Sequence, residues 1–322
     1  MIPIRDTIPS RNYPVVNNAL ILVNIFFFIF QLIQGEALGQ FVYTYGLVPA
    51  KFSSPFISFH FSMGEKLFSF VSYMFLHGGF FHLIANMWSL YIFGDNVEDH
   101  FGPVRYLGFY LLSGIGSGLF HLFLNVHSNI PTIGASGAIA GVMGAYFILY
   151  PGSKILTLIP IIIIPWFVEI PAFFFLGLWL LMQFINAAGS SALNSGIAWW
   201  AHIGGFLLGM FLLNLSPRIP GSGFTEKIRS VTTKKTTPRL QIIHPTGVGE
   251  DPHLYGTIVI SPHEAVSGTA KLVNIPWGFY KRLYRIIIPP GINNGKTLRL
   301  KGMGRSISGK ETGDLMLRIL IS

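Results

Sequence analysis

The feature that most limits what this chain can fold into is the placement of its charges. Between Asn18 and Gln34 (NALILVNIFFFIFQLIQ) no side chain is ionised, and comparably apolar stretches recur at 106–126, 134–150, 171–187 and 197–215. A helix needs about 20 apolar residues to cross a hydrocarbon core. Of the 322 residues, 51% are hydrophobic and only 11% charged, a balance outside that of soluble domains. Most of the charges lie in the first residues or beyond residue 215, which leaves a long middle soluble in lipid. These facts predict a polytopic α-helical membrane protein.

The formal charge of +9 does not point to nucleic acid. Basic residues beside membrane segments set orientation or touch anionic lipid, so membrane lipid is the expected partner and nucleic acid is not. Cysteine is absent, which excludes disulfides, thiolate metal sites and a thiol nucleophile. The histidines outside the apolar stretches are scattered, and neither a metal nor a cofactor is expected.

Residues 1–17 read as a cytoplasmic N-terminal segment without a small-residue cleavage site, so 18–34 is expected as a retained first span. Residues 35–66 mix aromatics with proline and charge; they read as a long interfacial loop, a candidate lateral cover for a site. The second span is expected at about 80–94, with 68–79 leading into it and the charged run Asp95–His100 outside the core. The third and fourth follow at 106–126 and 134–150. Residues 151–170 are apolar but carry Pro160, Pro165, Lys154 and Glu169, and are expected as an amphipathic re-entrant or surface segment. The fifth and sixth spans fall at 171–187 and 197–215, completing an 18–216 membrane domain. Six spans put both termini on one side. Arg5, Arg11, Arg105, Lys154 and Arg218 against Lys51 and Lys66 make that side cytoplasmic.

From 217 to 250 the composition turns to Gly, Pro, Ser, Thr and Lys, a flexible basic linker. Residues 251–322 then alternate in strand fashion over 255–260, 270–275, 284–288, 297–301 and 314–321, as in a small all-β domain.

The candidate chemistry lies in polar residues within the apolar stretches, where they are costly and tend to mark function. Ser136 stands among glycines at the start of the fourth span. His82 and Asn86 are four apart and share one face of the second. His202 lies early in the sixth, beside the small-residue stripe Ala201, Gly205, Gly209; the fourth span has matching stripes, Gly137, Gly141, Ala145 and Ser136, Ala140, Gly144. Such stripes let two helices approach closely. Close approach would bring an imidazole to Ser136, as a serine nucleophile requires. The backbone N–H of Ser136, with Asn86 and His82, offers donors for an oxyanion. No Asp or Glu lies near His202 in these segments, so the arrangement reads as a dyad. The rival reading makes Ser136 part of a packing face and the other three interhelical glue.

His82-x-x-x-Asn86, Gly134-Ala-Ser-Gly137 and Ala201-His202-x-x-Gly205, in this order, resemble the motifs of rhomboid intramembrane serine proteases over roughly residues 15–216. The resemblance implies a six-helix bundle. In it Ser136 is the nucleophile, His202 the general base, and His82, Asn86 and the Ser136 amide the oxyanion hole. It also implies supporting roles for Gly134, Gly137 and Gly205, and for His77 in keeping the site hydrated. The substrates implied are transmembrane protein segments, and the setting a prokaryotic inner or plasma membrane. The Trp-Arg pair that marks the 35–66 loop in some relatives is absent. A rhomboid-like protein that binds membrane clients without cutting them is the alternative. The tail resembles one copy of the C-terminal β-sandwich of DnaJ-type chaperones. It does so through Leu254-Tyr-Gly-Thr-Ile-Val-Ile260, Ile288-Pro-Pro-Gly291, Leu298-x-Leu-Lys-Gly302 and Gly313-Asp-Leu315, which implies binding of an extended peptide.

Overall fold

The computed structural model describes residues 1–161, 164–189, 198–216, 225, 228, 231–232, 240–247, 251–277, 280–305 and 312–322. They divide into two compact units, Met1–Thr233 and Lys234–Ser322.

The first unit begins with strand β1 (Ile2–Asp6) and helix α1 (Val15–Leu32). The 35–66 loop folds into short helices α2 (Leu38–Tyr45), α3 (Ala50–Ser53) and α4 (Pro55–Ser58). Lys51, in the loop expected at the interface, is buried; its Nζ donates to the carbonyls of Tyr43 at 2.5 Å and Thr44 at 2.8 Å and lies 4.2 Å from the Phe61 ring centroid. It thus satisfies the open carbonyl end of α2. Burial lowers its pKa to about 8, against the opposing pull of Glu65.

Next come α5 (Met63–Ser72), α6 (Phe80–Phe101), α7 (Pro103–Leu124) and α8 (Ser136–Leu149), then strands β2 (Lys154–Ile161) and β3 (Ile164–Pro171), and α9 (Ala172–Gly189) and α10 (Trp199–Leu215). Among the described residues α1, α7 and α9 are long and apolar enough to cross a membrane on their own, while the segment Met63–Phe75 and α6 form an apolar pair bent by 81°. The helices α8 and α10 are shorter. With 14 residues, α8 rises about 21 Å at 1.5 Å per residue, less than the ~30 Å hydrocarbon core. Its run Gly137–Tyr146 is buried by neighbouring helices rather than left to lipid.

That burial rests on backbone contact. A Cβ on Gly205 would stand 2.1 Å from the Gly137 carbonyl oxygen, one on Gly209 2.0 Å from that of Gly141, and one on Gly144 2.2 Å from that of Phe206. No side chain can yield at these points, so the α8–α10 contact requires glycine. The stripes seen in the sequence meet in register.

Residues 151–170 differ from expectation. Here β2 and β3 pair antiparallel and are joined by β1 into a sheet of order β1-β2-β3. Pro160 and Pro165 lie opposite one another toward its end, and would break a helix. Ile155 and Thr157 of β2 are fully buried, and the indole N–H of Trp88 on α6 donates to the Pro3 carbonyl at 2.6 Å. The N-terminal segment is therefore partly a strand. Helix α6 also runs on through the charged stretch to Phe101, where Glu98 and Asp99 accept backbone N–H groups at the entry to α1: Val16 and Asn17 on Glu98, Arg11 and Asn12 on Asp99.

The second unit contains β4 (Leu240–Ile242), β5 (Thr246–Gly247), β6 (Leu254–Ile260), a short helix α11 (Pro262–Ser267), β7 (Thr269–Trp277), β8 (Tyr280–Ile288), β9 (Thr297–Leu300) and β10 (Leu315–Ile321). Two sheets, ordered β5-β6-β10-β9 and β4-β7-β8, contribute to one apolar cluster that includes Ile258, Val273, Ile286 and Leu317. Residues 240–247, placed in the linker by composition, supply two of these strands. Most of the rest of 217–250, and most of the turn expected at 188–195, lie outside the described residues.

Candidate active site

Ser136 opens α8 after a sharply bent approach. Leu47 and Thr132 exchange backbone hydrogen bonds of 3.0 and 2.8 Å, the Gly134 N–H donates to the Tyr73 carbonyl at 2.9 Å, and Gly134 takes φ +131°. Glycine is needed here for conformation and for room, since a Cβ would lie 2.8 Å from Cε1 and 2.9 Å from Nε2 of His82. The serine is thereby set at the start of a helix, whose first amides have no partner within the helix and whose dipole favours negative charge.

The close α8–α10 contact carries His202 to it. His202 Nε2 lies 2.8 Å from Ser136 Oγ. On the other side of the ring, Nδ1 lies 2.8 Å from Oε1 of Gln183, a residue of α9. The Trp179 ring centroid is 6.0 Å from that of His202 with 31° between the planes, and Trp199 approaches edge-on at 6.1 Å and 88°.

The second span supplies donors. The Gly78 N–H donates to His82 Nδ1 at 3.3 Å, so a neutral His82 carries its proton on Nε2, the atom beside Gly134. Asn86 is buried, and its Nδ2 has no hydrogen-bond partner among the described residues. Ser136, His202, His82, Asn86, Trp179 and Gln183 all line one cavity of about 730 Å³. His77 sits behind this group: its ring is buried, 5.2 Å from that of His82, with neither nitrogen hydrogen-bonded among the described residues. Gln31 holds its backbone, accepting from the N–H at 3.0 Å and donating to the carbonyl at 2.6 Å. Gly137 and Gly205 lie not in the reacting group but in the helix contact that assembles it.

Of the residues singled out in the sequence, Ser136, His202, His82, Asn86, Gly134 and Gly137 come together at one cavity. Gln183 was missed. The signal for a partner to His202 is not a carboxylate but one of two amides, Gln183 and Asn186, in the otherwise apolar α9. Among the described residues there is no group of acidic and histidine side chains arranged for a metal.

Residues 64–217 match the Rhomboid domain. Over 164 residues the chain is 34% identical to RHOMBOID-like protein 6, mitochondrial, of Arabidopsis thaliana, covering 51% of this chain and 48% of that protein. It is 30% identical over 151 residues to Rhomboid protein 1, mitochondrial, of Saccharomyces cerevisiae, covering 44% and 40% respectively. A shorter match, 45% identical over 71 residues and covering 22% and 19%, is to Inactive RHOMBOID-like protein 8 of Arabidopsis thaliana. The chain spans less than half the length of these curated relatives. Together these matches make residues 64–217 similar to rhomboid proteins; among the described residues several helices are apolar and the C-terminal region is β-rich. One relative is named inactive, so activity must be argued from this chain's own site.

Proposed function

We propose that the chain is an intramembrane serine endopeptidase that cuts transmembrane or membrane-proximal segments of other membrane proteins. The observation that carries the reading is the 2.8 Å contact of His202 Nε2 with Ser136 Oγ at the start of α8. In the mechanism, Ser136 Oγ attacks the scissile carbonyl carbon while its proton passes to His202 Nε2. The carbonyl oxygen becomes an oxyanion and meets the donors that stand ready for it: Asn86 Nδ2, His82 Nε2–H and the Ser136 amide. His202 then gives its proton to the leaving nitrogen, the C–N bond breaks and an acyl-enzyme forms. A water attacks that ester, again with His202 as base, and restores Ser136. A peptide bond must leave its helix before it can be attacked, and lipid resists unpaired backbone. The cavity at the Ser136 end of α8, lined in part by Asn86, His82 and Gln183, offers such a segment partners.

The finer topology belongs to the same proposal: six spans, both termini cytoplasmic, and Ser136 and His202 toward the opposite face. Two of the relatives carry mitochondrial names, which lends no support to a prokaryotic membrane. For the second unit we propose a DnaJ-type sandwich that binds an extended peptide by strand addition at a sheet edge; two sheets over one apolar cluster support it. Unchanged client affinity and cleavage after deletion of 250–322 would sink that part.

In proteoliposomes with a transmembrane substrate, Ser136→Ala and His202→Ala are each expected to lower turnover by at least about 10⁴-fold. Retained cleavage by either variant overturns the reading. Binding of client without cleavage by the wild type would favour the client-binding alternative.

A further inference from the structure

The site contains a third group whose role follows from a backbone carbonyl. We infer that Gln183 is a positioning residue that holds His202 in the tautomer whose Nε2 lone pair faces Ser136. The inference rests on the endopeptidase reading for its consequence, though not for its geometry.

The argument starts at Trp179. Its carbonyl oxygen can only accept, and it lies 3.1 Å from the Gln183 side-chain nitrogen. The amide NH₂ must therefore face Trp179, which leaves Oε1 facing His202 Nδ1 at 2.8 Å. An amide oxygen can only accept as well, so Nδ1 must carry the proton. A neutral imidazole has one N–H, so Nε2 is left with a lone pair, 2.8 Å from the Ser136 hydroxyl whose proton it must receive. The other tautomer would set two acceptors against each other at 2.8 Å inside a buried site, because Gln183 is only 5% exposed.

One turn of α9 thus orients the ring twice. The Trp179 carbonyl fixes the amide that fixes the proton, and the Trp179 ring lies beside the imidazole at 6.0 Å. The use of an amide also follows from the setting. A carboxylate would hold the same proton but would place an ion within an apolar span, where an isolated charge is expensive. A neutral acceptor gives orientation without that cost.

The test uses full-length protein in nanodiscs with ¹⁵N-labelled histidine, the His202 signals being assigned by their loss in His202→Ala. The wild type is expected to show His202 protonated at Nδ1 and unprotonated at Nε2. Gln183→Leu should abolish that preference and lower kcat about 10- to 100-fold, part of the ~10²–10⁴ that a general base supplies, with KM little changed. Gln183→Glu restores an acceptor oxygen and should recover both the signature and most of kcat. The inference falls if the wild type carries its proton on Nε2, or if Gln183→Leu keeps both the wild-type tautomer and the wild-type kcat. A loss in Gln183→Leu caused by poor folding shows as a lowered Tm, and the wild-type spectrum with Gln183→Glu then decides. Indifference of turnover to Ser136→Ala would instead defeat the endopeptidase reading, leaving the tautomer to be settled by the spectrum.

Discussion

At its first residue α8 presents Ser136 to a cavity where a donor stands idle: Asn86 Nδ2 has no hydrogen-bond partner among the described residues. At the other end of the same helix, Tyr146 shows the reverse. Its hydroxyl donates to Asp6 at 2.7 Å and lies 3.0 Å from Ser153 Oγ, and Asp6 accepts also from Asn96 Nδ2 at 2.6 Å. Leaving a buried donor unpaired costs about 1–3 kcal/mol, a cost that Asn86 carries beside the Ser136–His202 pair. The difference separates polar groups committed to holding the bundle from polar groups held in reserve for a ligand.

Each end can be challenged separately. Asn86→Ala removes an idle donor, and is expected to lower kcat by about 10²–10³-fold, equivalent to ~2.7–4 kcal/mol, while Tm stays level or rises. Kinetics and melting of the same preparation check this; lost stability with retained kcat would place Asn86 among the committed groups. Midway along the helix, Gly209→Ala sets a Cβ 2.0 Å from the Gly141 oxygen and should destabilise by about 1–3 kcal/mol, read as a lowered melting temperature. Activity should fall in parallel, because the same contact brings His202 to Ser136.

Tyr146→Phe is the mirror of Asn86→Ala. It should cost about 1 kcal/mol of stability and leave kcat unchanged once the protein is folded. The smallest effect concerns pH. Burial raises the Asp6 carboxyl above its ordinary 3.8, and the hydrogen bond from Tyr146 opposes this. With the folded pKa above the unfolded one, the folded state holds more protons in the interval between them. The contribution is therefore fully present below 3.8 and is lost as pH rises through the folded value. The stability difference between wild type and Asp6→Asn should shrink in that direction, and growth with rising pH would contradict the assignment.

The Ser136 end was more legible in the sequence than the Tyr146 end, for physical reasons. Glycines spaced four apart on two helices announce a contact, and a serine, two histidines and an asparagine in apolar spans are too costly to be incidental. Gln183 went unseen because an amide titrates nowhere and forms no motif, although it and Asn186 are the amides of an otherwise apolar α9. The sheet at 151–171 was hidden by its own composition. A continuous run of isoleucines lacks the alternation that separates strand from helix, and the partner strand β1 lies some 150 residues away in sequence. The burial of Lys51 within the interfacial loop was not legible because its acceptors are backbone carbonyls, which carry no residue-type signal.

The central claim is that Ser136 is a nucleophile and not a packing residue. A fluorophosphonate probe tests it directly, since the reagent bonds to an activated serine oxygen without requiring knowledge of the client. With the full chain in lipid, labelling is expected at Ser136, confirmed by peptide mass spectrometry, and abolished in Ser136→Ala and His202→Ala. Failure of the folded wild type to label at Ser136, or equal labelling when His202 is removed, would contradict the account.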